Sequence, residues 1–152
     1  MYYEATPVRK DFGVEMLGAY YGKAYPSGEL FEGLDISRSH EYLKHLNQYN
    51  VLHFSMNELP GRENTYRDYI GRFERNIRND IREAYPGLDR KELGSLSDLL
   101  MATEDEFIFI IDEWDYIFSH DIYRDNQRDF LEFLRDLLKD KPYVTLVYMT
   151  GV

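Results

Sequence analysis

Ten residues from Glu106 to Asp115 read EFIFIIDEWD, an apolar run that ends in two adjacent carboxylates, Asp112 and Glu113. An acid pair in that position suits the cleavage of phosphoanhydrides: one carboxylate can help hold Mg²⁺ while its neighbour orients a water. The apolar run explains how the pair would be held. Phe107, Ile108, Phe109, Ile110 and Ile111 follow one another without polar alternation, the pattern of a strand buried on both faces. Such a strand delivers the residues that follow it to the carboxyl rim of a sheet, where open α/β sheets bind ligands.

This acid-terminated strand is the Walker B pattern. A complete nucleotide site also needs GxxxxGK followed by Ser or Thr, because backbone amides must wrap the phosphates, the lysine must reach them and the hydroxyl must ligate Mg²⁺. The nearest segment is Gly18-Ala19-Tyr20-Tyr21-Gly22-Lys23-Ala24. It is one residue short, sets two tyrosines where the loop must turn tightly and has Ala24 in place of the hydroxyl. Its spacing is that of an ordinary packed helix. Other constellations carry less. His40, Glu41 and His45 do not make a zinc-protease helix, which needs histidines four apart on one face. His53 falls in a strand and His120 in a loop, and no GxSxG elbow accompanies the serines. Asp115, Asp121, Asp125 and Asp129 lack the spacing and the glycine of a calcium loop, and read as a solvated acidic stretch.

The elements that would position the acid pair follow from periodicity. Tyr2 and Tyr3 suit a short edge strand that Pro7 limits. Val14, Leu17, Tyr21 and Ala24 recur at helical spacing, predicting a helix from Asp11 or Gly13 to about Lys23, stopped by Tyr25-Pro26-Ser27-Gly28. Ser39 is expected to cap a short helix through Leu46, and Asn50 to Met56 to form a strand. The clearest helix runs from Thr65 to Tyr85, with Tyr66, Tyr69, Ile70, Phe73, Ile77, Ile81 and Tyr85 on one stripe. Thr65 and Asp68 fit a capping box, and Pro86-Gly87 ends the helix. A short helix over Leu96 to Met101 precedes the acid-terminated strand. Another follows it from Asn126 to Lys139, with Phe130, Leu131, Leu134, Leu137 and Leu138 facing inward. Val144 to Met149 is a second buried-looking strand, and Thr150 follows it. Strands separated by helices imply parallel pairing through right-handed crossovers, hence an α/β sheet covered by helices, with Thr150 beside Asp112 at its carboxyl edge.

The chain has 152 residues, 43% of them hydrophobic and 16% aromatic, enough for one domain with a sizeable core. Its 28 acidic and 18 basic residues give a net charge of −10, which argues against a nonspecific grip on nucleic acid. With no cysteine, no apolar stretch of membrane-spanning length and no signal-peptide start, the expectation is a cytoplasmic protein without membrane contact. The fourteen tyrosines would pack at half-buried positions, or mark a contact surface where left exposed.

MLGAYYGK, ELFEGLDIS, YNVLHFSMNEL, FIFIIDEWDYIF and VYMTGV together resemble the AAA-ATPase-like domains of bacterial proteins that often carry a PD-(D/E)XK nuclease-like region further along. The resemblance spans nearly the whole chain. It implies a partial P-loop NTPase-like fold, a small parallel three-layer α/β sheet flanked by helices, with residues 1–152 as a single truncated domain. It also implies roles: Asp112 as the metal-side acid, Glu113 as the water-orienting acid and Thr150 as a polar sensor of the phosphate. In the family a segment resembling RPRRFGKT supplies the phosphate loop, whereas this chain has TPVRKDFG from Thr6 to Gly13. The family's sheet order of five, one, four, three, two would make the strands around Val51, Ile110 and Val147 neighbours. It would leave the strand 144–149 as an apolar edge, to be covered by the N-terminal segment, a second copy or another protein.

The expectation is therefore a degenerate ATPase-like domain that acts through a protein partner or self-association at the strand 144–149, with no cofactor unless Mg-ATP binding is retained. Two alternatives stand beside it. One is a small acidic inhibitor or decoy that binds a basic nucleic-acid-processing enzyme. The other is a fragment of an active ATPase.

Overall fold

The computed structural model describes residues 12–58, 65–88 and 94–152. Their order is helix α1 (Phe12–Tyr21), two 3-10 turns, helix α2 (Tyr42–His45), strand β1 (Asn50–Ser55), helix α3 (Tyr66–Ala84), helix α4 (Leu96–Ala102), strand β2 (Phe107–Asp112), helix α5 (Tyr116–Ser119), helix α6 (Gln127–Leu138) and strand β3 (Val144–Met149). The three strands form one parallel sheet in the order β1-β2-β3. The predicted small three-layer α/β sheet is thus what forms, with the neighbours that the family's sheet order implied. The expected edge strand at Tyr2 and Tyr3 lies outside the described residues.

β2 is the hub because both its faces are buried, as its unbroken apolar run requires. Its side chains alternate between two layers. Phe107, Phe109 and Ile111 join the main core with Tyr69, Phe73, Ile77 and Ile81 of α3, Leu96, Leu99 and Leu100 of α4, and Phe130, Leu134 and Leu137 of α6. Ile108 and Ile110 instead meet Val14 of α1 on the opposite face. Burying each large apolar side chain contributes about 1.5–3 kcal/mol, so the face under α3, α4 and α6 carries most of the stabilisation.

Local signals set the helix ends. The Thr65 hydroxyl accepts from the Asp68 N–H at 3.2 Å and starts α3. The Asp68 carboxylate turns to the Thr65 hydroxyl, so only half of the expected capping box forms there. The full box belongs to α4, where Ser95 and Asp98 satisfy each other's backbone N–H groups. Ser39 does not cap α2; it ends the preceding 3-10 turn, and α2 is a single turn entered from Glu41.

On the α1 side the packing is partly polar. Asn47, held at a left-handed φ of 55°, donates its side-chain amide to the carbonyls of Ala19 at 3.0 Å and Gly22 at 2.8 Å. This closes the carboxyl end of α1, whose last carbonyls lack intrahelical partners. Gly18 and Gly22 therefore belong to a helix and its exit, not to a phosphate-wrapping loop. Tyr20, Phe31 and Tyr42 form a small satellite core beside them.

Two inward expectations fail. Leu131 is 46% exposed, because it lies on the flank of α6 beyond the sheet edge. β3 is not a buried strand: Leu146, Tyr148 and Met149 are each more than a third exposed, since a strand at the edge has a neighbour on one side only.

Candidate functional site

The carboxyl rim of the sheet is built where β2 stops. Ser55 of β1 stands in register beside Asp112, and Thr150 follows β3 on the other side. The Thr150 N–H donates to the Ile111 carbonyl at 3.0 Å, extending the β2–β3 ladder by one step. The Trp114 N–H then donates to the Thr150 carbonyl at 3.0 Å. These two bonds fix Thr150 against the acid pair, and its hydroxyl donates to Asp112 Oδ1.

The same Asp112 oxygen accepts the Glu113 N–H at 3.0 Å. Oδ1 is thus used twice, while Oδ2 has no protein donor among the described residues. Glu113 adopts a left-handed φ of 49°, which turns the chain sharply out of the strand. A non-glycine residue in that region is uncommon and recurs at ligand sites. Asp112, Glu113 and Thr150, singled out from the sequence, therefore meet at one rim, and all three are half-buried.

Sequence reasoning missed the brace behind them. Asp115 Oδ2 accepts the Val152 N–H at 3.2 Å. A Cβ on Gly151 would lie 2.5 Å from Asp115 Oδ1 and 3.0 Å from Trp114 Nε1, so only glycine fits between them without displacing a side chain. Trp114 packs on Phe118, Phe118 on Phe130, and Tyr69 on Tyr123, giving the rim an aromatic floor. Burial, helped by the charges of Asp129 and Glu74, pushes the Tyr66 phenol up to about 12, and burial raises Tyr69 as well. Ser55, whose hydroxyl meets Asn57 Oδ1 at 2.9 Å, also escaped notice. Its place at the end of a strand, opening the run SMNE, was the available signal.

The other sequence candidates do not converge. His45 Nδ1 lies 2.7 Å from the Tyr49 hydroxyl, and His120 stacks on Tyr116. Among the described residues no group of three or more His, Cys, Asp or Glu side chains could hold a metal. The oxygens present at the rim, a carboxylate and a hydroxyl, are hard donors of the kind Mg²⁺ takes, but Mg²⁺ wants six and draws the rest from water and phosphate. The segment expected to replace the phosphate loop divides: residues 6–11 lie outside the described residues, while Phe12 and Gly13 open α1.

A parallel three-stranded α/β sheet with an acid pair at its carboxyl rim, clasped by a threonine after the next strand, defines the class. A family model described as predicted AAA-ATPase matches residues 8–152, and the chain belongs to this AAA-ATPase-like family. No curated protein and no solved structure matches it.

Proposed function

We propose that this AAA-ATPase-like domain works through protein contact at β3 and does not turn over ATP by itself. The observation that carries this reading is the β3 edge. Val144-Thr145-Leu146-Val147-Tyr148-Met149 bears no charge, and among the described residues no strand pairs with its outer side. Edge strands that stay unpaired in solution are ordinarily guarded by lysine, proline or a covering element. The loss of turnover follows from the sequence, which has no GxxxxGK with a hydroxyl after it, so nothing in the chain matches the phosphate cradle.

The test is an ATPase assay of the purified chain with Mg²⁺. The expected result is no turnover above buffer. Hydrolysis that disappears in Glu113→Gln would overturn the reading.

The clasp on Asp112 favours a second reading, in which the rim completes a nucleotide site together with a phosphate loop from another chain. Asp112 Oδ2 would then meet the Mg²⁺, Glu113 would orient water and Thr150 would sense the phosphate. A nucleotide would supply the triphosphate oxygens that complete the metal's shell. Saturable Mg-ATP binding that is lost in Asp112→Ala would support this second reading over the first.

A further inference from the structure

We draw no further inference here: the strongest candidate, the surface patch that Tyr25, Leu30, Leu34, Ile36 and Leu43 leave exposed between α1 and β1, is an unpartnered apolar face, and nothing in the structure shows what covers it.

Discussion

The two ends of β2 carry similar chemistry in different settings. At its amino end Asp105 accepts the Tyr85 hydroxyl, and Lys23 stands 3.8 Å away. At its carboxyl end Asp112 accepts the Thr150 hydroxyl, with no cation paired to it among the described residues. The Tyr85 hydrogen bond, seconded by Lys23, holds the Asp105 carboxyl below the ordinary carboxylate range. The amino end is thus a closed structural fastening that ties the exits of α1 and α3 to the sheet. The carboxyl end leaves one carboxylate oxygen uncommitted, although the backbone turns left-handed at both ends, at Glu104 and at Glu113. An acid with no cation paired to it keeps a charge that a ligand can meet.

The most damaging change should strike the strand that joins both ends. Phe109→Ala empties a wholly buried site in the middle of β2 and should cost about 3–5 kcal/mol, read from urea unfolding. Next, Tyr85→Phe removes the hydroxyl that Asp105 accepts. Because the Asp105 side chain is 41% exposed, water offsets part of the loss, and about 1 kcal/mol is expected.

That variant also sharpens the comparison through pH. The folded carboxyl of Asp105 lies below its ordinary value of 3.8, so its contribution is fully present above that value and is lost as pH falls through the lowered one. Tyr85→Phe should flatten this acid limb of the stability curve. The opposite limb belongs to the phenols. Tyr66 is raised from 10.0 to about 12, so its contribution persists up to the ordinary value and disappears as pH rises toward the folded one. Unfolding followed between those values by circular dichroism should show a Tyr66→Phe variant holding its stability longer than the parent.

Smaller effects are expected at the carboxyl rim. Asp112→Asn keeps an acceptor for Thr150 and Glu113, and should change stability by less than about 0.5 kcal/mol, while Asp105→Asn costs more. A result in the reverse order would make Asp112 the structural acid and break the comparison. Smallest in stability is Gly151→Ala, whose methyl must displace the Asp115 carboxylate; the expected readout is a shift in Trp114 emission with the fold intact.

Much of this arrangement was legible in the sequence. The apolar run before Asp112 identified the central strand, and the stripe Tyr69, Phe73, Ile77, Ile81 identified α3, because both periodicities are local and strong. The meeting of Thr150 with Asp112 was also anticipated, since parallel strands linked by helices end on the same rim. What escaped depends on distant neighbours. Leu131 fits the apolar stripe of α6 but lies past the sheet edge, and the strand Val144–Met149 has a buried composition with half-exposed faces. Asp105 carries no local signal, because its partners lie 20 residues away at Tyr85 and further still at Lys23.

By itself, then, the order of residues determined the elements, the alternation of β2 between two layers and the acid pair at its end. These follow from side-chain volume and period, which each short stretch carries within itself. Tertiary structure alone decided which carboxylate is fastened and which is left open, and why Gly151 fits between Asp115 and Trp114. Those outcomes depend on groups brought together from remote parts of the chain, and periodicity holds no record of such distances.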